Sequence, residues 1–262
     1  GILVGGSVAL QDLSRIRNRL FLAAMPVLIV GMGMSIVRAA FLGLIVGMIW
    51  LGIHRYRYLF GVLAAATVLG GLVLMITPRR ITDSMFSSSS LGQRTAGWSR
   101  IGMDVATHPL GQGLGATGSA AEKLATSHGV SQQYLLLLQT LNPELAYQPD
   151  NYYVKILLEI GPIGLWLLLL LLGSVAVSAL RASRLTVGAD SAFCLGVSAS
   201  AVAACAAALV STYFEIFPLD FYFWLLAASV GCAVVQGQSE CVPEAPQLAD
   251  VRGQWETSAP HA

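Results

Sequence analysis

Long apolar runs separated by short arginine-bearing links constrain this chain more than any other feature of its sequence. Several of the runs approach the ~20 residues that a helix needs to cross a bilayer. Of the 262 residues, 11% are charged, whereas a soluble domain has about 25%. The sequence therefore predicts an all-α fold, a polytopic integral membrane helix bundle. The net charge of +1 gives no field that would favour nucleic acid.

The apolar runs divide the chain into four parts. Residues 1–77 are predicted to be membrane helices at the end of a longer amino-terminal bundle, and residues 78–151 a large, partly helical loop. Residues 152–236 return to membrane helices, and residues 237–262, rich in Pro, Glu, Gln and Ser, are predicted to be a disordered cytoplasmic tail. The predicted spans are Leu20–Met34, Ile36–Ile53, Tyr58–Ile76, Tyr152–Leu180, Ala189–Ser211 and Leu219–Gln236.

The short links predict how the helices are oriented. With six spans, the basic links fall on one side of the membrane, and basic short links mark the cytoplasm. The loop of residues 78–151 is then predicted to face outward, which in a bacterium is the periplasm. Such a loop carries polar groups that lipid cannot satisfy, so it is the expected place of the chemistry. Helices are predicted within it at Ser99–Thr107 and Ala120–Leu141.

Arginines are the first candidates for an anion site. Arg38 lies near the outer end of an apolar span, where a guanidinium needs a partner or a wet cavity. Arg94 lies four residues before Trp98, so the two share a face if the segment is helical, and Arg100 is close by. Interfacial or solvated arginines would also fit this pattern. The functional interpretation is phosphate binding, because the planar guanidinium donates two parallel hydrogen bonds.

Asp150 and Asn151 precede the span that begins at Tyr152. Either residue can cap that helix, and the free N–H groups of a helix start favour an anion. Asn151, Lys155 and Glu159 follow one another on one face, so Lys155 and Glu159 are expected to pair and enter the membrane together. Capping and anchoring would account for these residues without catalysis. An aspartate at the mouth of a cavity can equally act as a general base.

Glycine, histidine and cysteine patterns argue against cofactor chemistry. The segment Gly113–Gly118 matches G-x-G-x-x-G but lacks the βαβ context that dinucleotide binding requires. Turn glycines at positive φ are the preferred interpretation. The histidines have no metal-ligand spacing, and the four cysteines have no CxxC spacing and are expected to be small hydrophobes in helices. Small residues are dense in Ala189–Ala208, which predicts close helix packing.

In this order, the motifs resemble the bacterial family of O-antigen ligases and O-antigen or exopolysaccharide polymerases. Members share an arginine at the outer end of a helix, a loop arginine followed by a tryptophan, a Pro-x-x-Gly-x-Gly turn, and a His/Asp-Asn motif that opens a Glu-x-Gly-x-x-Gly helix. The positions that carry the similarity are Arg38, Arg94, Trp98, Pro109, Gly111, Gly113, Gly115, Asp150, Asn151, Glu159, Gly161 and Gly164. The ligase pattern has a histidine where this chain has Asp150, which favours a polymerase.

The resemblance implies a metal-independent glycosyltransferase without a cofactor, a multi-pass protein of the bacterial inner membrane. Its substrate would be a glycan on undecaprenyl pyrophosphate, and its partners the bilayer and other polysaccharide-assembly proteins, with no nucleic acid. Asp150, Arg94 and Arg38 would be catalytic, the arginines stabilising the departing pyrophosphate and Asp150 taking the acceptor's proton. The residues implied to bind substrate are Arg38, Arg94, Trp98, Arg100, Asn151 and Lys155.

A transporter or lipid-linked glycan flippase is the alternative function. Transporters favour discontinuous helices and polar groups at the membrane midplane, often within internal repeats. This chain instead concentrates its polar groups in one loop, and no repeat is visible in it. A purely structural membrane subunit is the third possibility.

Overall fold

The computed structural model describes residues 1–34, 37–76, 98–115, 117, 151–216 and 218–241. These residues form helices and the links between them, with no strand in the described ranges. The helices in chain order are α1 (Ile2–Gln11), α2 (Ile16–Met34), α3 (Arg38–His54), α4 (Leu59–Ile76), α5 (Trp98–Thr107), α6 (Tyr152–Leu185), α7 (Gly188–Ala207) and α8 (Leu219–Cys241). A short 3-10 turn, Tyr213–Glu215, lies between α7 and α8.

Three of these helices, α2, α6 and α7, are long and apolar enough to cross a membrane. In the other helices of the described chain, the apolar stretches are shorter. Large hydrophobic side chains cover the outer surface of the bundle, including Val27 on α2 and Leu167 on α6. An apolar surface of this extent is suited to lipid, because helices satisfy their own backbone groups there. The predicted fold class, an all-α membrane helix bundle, is confirmed.

The helix boundaries follow the predicted spans to within a few residues; α2 begins at Ile16 rather than Leu20, and α7 ends at Ala207 rather than Ser211. α6 continues to Leu185 rather than ending at Leu180, and the extended backbone of Thr186 and Val187 separates it from α7. α8 continues to Cys241, beyond the predicted end at Gln236. The predicted helix Ser99–Thr107 is present as α5, whereas Ala120–Leu141 lies outside the described residues.

α7 is the central helix, packed against α1, α3, α6 and α8. Its small side chains allow the neighbours to come close: Cys194 and Ala199 are fully buried. Gly196 lies against Val4 of α1, and Gly43 of α3 lies against the carbonyl oxygen of Ala203. Close backbone approach of this kind drives helix association in lipid, where the hydrophobic effect between helices is lost. The close packing predicted for Ala189–Ala208 is confirmed.

Hydroxyl groups fix the register of the helices around α7. Ser7 Oγ donates a hydrogen bond to the carbonyl oxygen of Ala192 at 2.6 Å. Ser198 Oγ donates to the carbonyl oxygen of Ala176 at 2.8 Å and accepts one from Trp50 Nε1 at 3.1 Å. Because no water reaches these buried groups, each hydroxyl must find its partner on a neighbouring helix. α1, α3 and α6 are thereby held at defined heights along α7.

The basic links lie together at one end of the bundle. Arg55, after α3, donates from Nη1 to Ser191 Oγ in the first turn of α7 at 3.1 Å. α1 runs antiparallel to α7, since Val4 lies beside Gly196 and Ser7 beside Ala192. The link that follows α1 is therefore near the same end. We call this the basic end; its arginines are Arg15, Arg17, Arg19, Arg55, Arg57, Arg181 and Arg184.

The opposite end is formed where α3, α6 and α8 begin and α7 finishes. Leu172 of α6 and Phe223 of α8 pack with Ala201 and Ala204 near the finish of α7. We call this the loop end. It holds the first residues of α6, the 3-10 turn Tyr213–Glu215 and the segment that follows α5.

The close packing of α7 on α1 makes Gly196 sensitive to substitution. A Cβ atom there would lie 2.8 Å from Val4 Cα, a backbone atom that cannot move aside alone. We expect Gly196→Val to lower the free energy of unfolding by about 1–3 kcal/mol, the usual cost of overpacking. Thermal unfolding of the purified protein in detergent measures this. Gly231→Val on α8, where nothing lies within 4 Å, is the matched control, and an equal loss there would contradict the packing argument.

Candidate functional site

The start of α6 is fixed at the loop end by its cap and by the end of α7. Asn151 Oδ1 accepts hydrogen bonds from the backbone N–H groups of Tyr153 at 2.9 Å and Val154 at 3.3 Å. The Tyr152 N–H donates to the carbonyl oxygen of Ala208 at 3.0 Å. Of the two predicted capping residues, Asn151 supplies the cap; Asp150 lies outside the described residues. The cap and the bond to Ala208 together fix the first turn of α6 against the end of α7.

α6 is broken nine residues after it begins. Gly161 has a φ of +77° and a ψ of −179°, a conformation that belongs almost entirely to glycine. Pro162 follows and has no N–H group, so it cannot donate to the carbonyl oxygen of Leu158. The same break removes the ordinary helical geometry for the carbonyl oxygen of Glu159. Two consecutive carbonyl groups therefore need donors from elsewhere.

The segment after α5 supplies both donors. The backbone N–H of Gln112 donates to the carbonyl oxygen of Leu158 at 2.9 Å, and that of Gly113 donates to the carbonyl oxygen of Glu159 at 3.0 Å. The Pro-x-x-Gly-x-Gly turn and the Glu-x-Gly-x-x-Gly helix, which are almost fifty residues apart in the chain, thus form one hydrogen-bonded unit. We call it the docked turn, comprising residues 109–115 and 117 with residues 158–162 of α6.

Glycines make this close contact possible. Gly111, Gly113 and Gly115 have φ values of +85°, +102° and +78°. A Cβ atom on Gly111 would overlap the carbonyl group of Glu159, and one on Gly161 would lie 2.5 Å from the carbonyl oxygen of Pro109. The prediction that the glycines of Gly113–Gly118 are turn glycines is confirmed at Gly113 and Gly115, and Gly118 lies outside the described residues.

Buried charges lie directly beneath the docked turn. Lys155 Nζ is 3.6 Å from Glu159 Oε1 and also forms an ion pair with Glu215 of the 3-10 turn. The side chains of Lys155 and Glu159 are 6% and 5% exposed, and that of Glu215 is 32% exposed. Thr117 Oγ1 donates a hydrogen bond to Glu159 Oε1 at 3.1 Å. The predicted pair of Lys155 and Glu159 is confirmed, and it links the docked turn to the turn between α7 and α8.

Glu215 belongs to this cluster, although it was not predicted as a site residue. The sequence does contain an indication of its role, because Glu215 is an acidic residue in a short apolar turn between two spans, at the end where Lys155 enters the membrane. A buried ammonium needs a partner, and Glu159 alone leaves two of its three donors free. With Glu215 included, the cluster carries two carboxylates on one ammonium and is formally negative.

Aromatic rings surround the same corner. Tyr152 packs on Phe214 with ring centroids 5.3 Å apart, and Phe214 packs on Phe223 at 5.0 Å. Tyr153 donates from its hydroxyl to the carbonyl oxygen of Cys205 at 2.8 Å. Burial raises the pKa of Tyr213, so this phenol stays neutral beside the negative cluster. The rings make this corner apolar, and opposite charges attract each other more strongly in an apolar environment than in water.

Comparison with known proteins decides the family. A family model described as O-antigen ligase matches residues 21–170, which is more than half of the chain. The chain belongs to the O-antigen ligase family. These are membrane enzymes that act on lipid-linked glycans. No curated protein and no solved structure matches the chain.

The matched region contains every part of the docked turn. It begins inside α2 and ends inside α6, beyond Gly164, so it also includes α3 and α5. The family resemblance expected from the motifs is therefore confirmed. α7, which supports the start of α6 through Ala208, lies outside the matched range.

The structure brings some of the site residues that the O-antigen ligase motifs indicate to one end of the molecule. Arg38 opens α3 and is exposed. Gly43 lies against Ala203 and Ala207, so Arg38 lies about 7–8 Å further along the helix axis, at the loop end. Asn151 is at the same end. In the described ranges, no group of three His, Cys, Asp or Glu residues is placed to hold a metal ion.

Other predicted site residues are described only in part. Arg94, like Asp150, lies outside the described residues. Trp98 and Arg100 belong to the first turn of α5, and α5 packs on α6 through Ile101 and Val154. The first turn of α5 is therefore held near the start of α6.

Lys155, which was also predicted to bind substrate, lies in the interior of the bundle. Its ammonium is buried and paired with two carboxylates. A phosphate group that reached Lys155 would have to replace Glu215, the more exposed of its two partners. As it stands, Lys155 stabilises the helix start and joins the docked turn to the turn before α8.

The conformation of Gly161 gives a direct test of the docked turn. We expect Gly161→Ala to cost about 1–3 kcal/mol, because an alanine is strained at this φ and ψ and its methyl group would push the turn away from α6. Thermal unfolding in detergent measures the loss. Gly173→Ala on the same helix, where nothing lies within 4 Å, is the control and should not be destabilised. Equal midpoints for the two variants would show that the turn does not depend on Gly161.

The buried cluster predicts a non-additive pair of substitutions. Lys155→Met leaves Glu159 buried without a cation and should cost about 3–5 kcal/mol. Adding Glu159→Gln removes the buried charge, so the double variant should recover part of that loss although it carries one more substitution. Thermal unfolding of the wild type, both single variants and the double variant gives the coupling. Simple addition of the two losses would mean that the ion pair contributes nothing.

Proposed function

We propose that this protein is a glycosyltransferase that polymerises or transfers glycan units linked to undecaprenyl pyrophosphate. The observation that carries the proposal is the docked turn: two motifs of the O-antigen ligase family, distant in sequence, form one hydrogen-bonded unit at the loop end. Arg38 lies at that end, and the first turn of α5, with Trp98 and Arg100, is held nearby. The shared location of Arg38, Asn151 and the first turn of α5 supports the proposal that residues at this end bind the substrate.

The arginines have a clear chemical task in this reaction. Transfer of a glycan from undecaprenyl pyrophosphate leaves negative charge on the departing pyrophosphate. Preorganised cations aimed at that charge stabilise the transition state without a proton transfer. Arg38 and Arg94 are proposed for this role, and the reaction is proposed to be metal-independent, because the guanidinium matches phosphate geometry and stays charged at neutral pH. Trp98 and Arg100 are proposed to orient the substrate beside them.

Asp150 is proposed as the general base. It precedes Asn151, whose cap fixes the start of α6 and with it the positive end of the helix dipole next to the segment that holds Asp150. Asp150 would accept the proton of the acceptor sugar hydroxyl as that oxygen attacks the anomeric carbon. An ordinary aspartate has a pKa of about 3.9 and is a weak base, so correct orientation of the hydroxyl must supply much of the rate.

The orientation of the molecule follows from its two ends. Short arginine-bearing links are retained on the cytoplasmic side during insertion, and those of this chain gather at the basic end. The loop end would then face the periplasm of a bacterium whose inner membrane holds the protein as a multi-pass bundle. A lipid-linked glycan on the outer leaflet would reach the candidate site without crossing the bilayer.

Transport of the lipid-linked glycan is the second candidate, and one observation favours it. α6 is broken near Gly161 and carries buried charges, and broken helices are typical of transporters because they present free backbone groups to a substrate. In this protein the carbonyl groups of Leu158 and Glu159 already accept hydrogen bonds from the docked turn. The break therefore serves the attachment of a turn, which favours the enzyme.

Reconstitution separates these functions. The purified protein is placed in liposomes with an undecaprenyl-pyrophosphate-linked oligosaccharide, with and without a second acceptor lipid. Longer glycans on the carrier lipid would indicate a polymerase, and glycan on the second acceptor a ligase. Movement of the donor between leaflets without a change in glycan length would indicate a transporter and overturn the proposal.

Asp150 offers the sharpest test of the mechanism. We expect Asp150→Asn to insert and fold normally but to lose at least about 100-fold in transfer rate, the lower range of general acid–base contributions. Asp220→Asn is the matched control, because Asp220 is also a carboxylate at a helix start at the loop end and takes no part in the proposed chemistry. Full transfer by Asp150→Asn would remove Asp150 from the mechanism.

A further inference from the structure

A cavity of about 280 Å³ lies at the basic end, at the opposite end of the bundle from the docked turn. It is formed where α3 and α6 finish and α7 begins. Its polar lining consists of His54, Arg55, Ser183, Arg184 and Ser191. None of these residues takes part in the proposed transfer reaction.

Arg55 is held in place at the edge of this cavity. Its Nη1 donates to Ser191 Oγ at 3.1 Å, and Ser191 Oγ in turn donates to the carbonyl oxygen of Ser183 at 2.6 Å. The guanidinium carbon also lies 5.8 Å from the ring centroid of Tyr56, within cation–π range. A guanidinium restrained in this way loses little conformational freedom when it binds an anion.

The positive charge of the cavity is not neutralised by an ion pair. Arg55 and Arg184 both line it, and in the described part of the chain neither forms a salt bridge with a carboxylate. Asp190, next to Ser191 in the chain, is the carboxylate nearest in sequence, and it pairs with neither arginine. Two guanidinium groups that face one small space without a counter-charge favour an anion between them.

His54 adds an unused hydrogen-bonding group. Its Nε2 atom is buried and has no hydrogen-bond partner among the described residues. Its ring is fixed against Trp50, with the ring centroids 4.5 Å apart. Buried polar atoms usually have a partner, so an oxygen-rich ligand in the cavity would satisfy a group that the protein itself leaves unsatisfied.

We propose that this cavity binds a phosphate group. The guanidinium groups of Arg55 and Arg184 supply charge and directed donors, and His54 and Ser191 supply further polar contacts. The volume is just below the ~300 Å³ at which pockets for whole small molecules begin. The space therefore suits a phosphate-bearing headgroup better than an entire nucleotide.

A membrane lipid is the better source of that phosphate than a soluble anion. Ile53, which also lines the cavity, is 60% exposed, and Leu185, next to Arg184, is 74% exposed. An acyl chain lying beside the headgroup would cover these apolar side chains. Basic pockets between membrane helices are known to bind anionic lipid headgroups in this manner.

The test measures binding to the full-length chain in a neutral detergent. The probes are short-chain phosphatidylglycerol, short-chain phosphatidylcholine, glycerol 3-phosphate and inorganic phosphate, and the readout is the ligand-dependent rise in unfolding temperature. We expect phosphatidylglycerol to bind best and the variant Arg55→Gln/Arg184→Gln to bind it about tenfold or more weakly, since hydrogen bonds to charged groups are lost. Arg57→Gln/Arg181→Gln is the matched control, because these exposed arginines lie at the same end outside the cavity.

Each outcome decides the proposal. An equal loss in both double variants would mean general attraction of anionic lipid to a basic surface and would overturn it, as would the absence of binding by all probes. A third outcome is that glycerol 3-phosphate or inorganic phosphate binds as tightly as the lipid and loses that binding only in the cavity variant. That result would support the phosphate site but would identify a soluble anion, rather than a lipid, as its ligand. Should the double variant fail to fold, Arg184→Gln alone provides the test, because Arg184 has no hydrogen bond or ion pair to lose among the described residues.

Discussion

Two carbonyl groups near the start of α6, which have no donor within the helix, organise the functional half of this protein. Pro162 cannot donate to the carbonyl oxygen of Leu158, and Gly161 turns the chain so that the carbonyl oxygen of Glu159 also leaves the helical pattern. Inside an apolar environment such groups cost several kcal/mol unless they find donors. Gln112 and Gly113 provide those donors, so the position of the loop segment is set by the needs of the helix.

The buried charges connect α6 to the turn before α8, as the backbone hydrogen bonds connect it to the loop segment. Lys155 enters the bundle only because Glu159 and Glu215 neutralise it, and Glu159 at the same time accepts from Thr117. One helix start thus fixes the docked turn and the turn before α8. The proposed site for a pyrophosphate-linked substrate would need its cations held in position before the substrate arrives, and this cluster joins the segments that form the loop end.

Sequence patterns predicted the helices and the local motifs well because both depend on near neighbours. Apolar runs place α2, α6 and α7, the Asn cap follows from its position before Tyr152, and Lys155 pairs with Glu159 one helical turn away. What could not be predicted depends on contacts between distant residues. The donors for Leu158 and Glu159 come from residues almost fifty positions earlier, and Glu215 reaches Lys155 across sixty. The outward orientation and the roles of Arg38, Arg94 and Asp150 remain predictions.

The central position of α7 has a consequence for how the protein is made. Ser7 finds its acceptor, the carbonyl oxygen of Ala192, 185 residues later in the chain. At translation rates of roughly 5–20 residues per second, that acceptor is synthesised on the order of 10–40 s after the serine. During this interval α1 and α3 have entered the membrane without the helix that pairs with Ser7 and Trp50 and packs against their glycines. The early helices therefore need a temporary partner, in the insertion machinery or in one another, until synthesis of α7 completes the bundle.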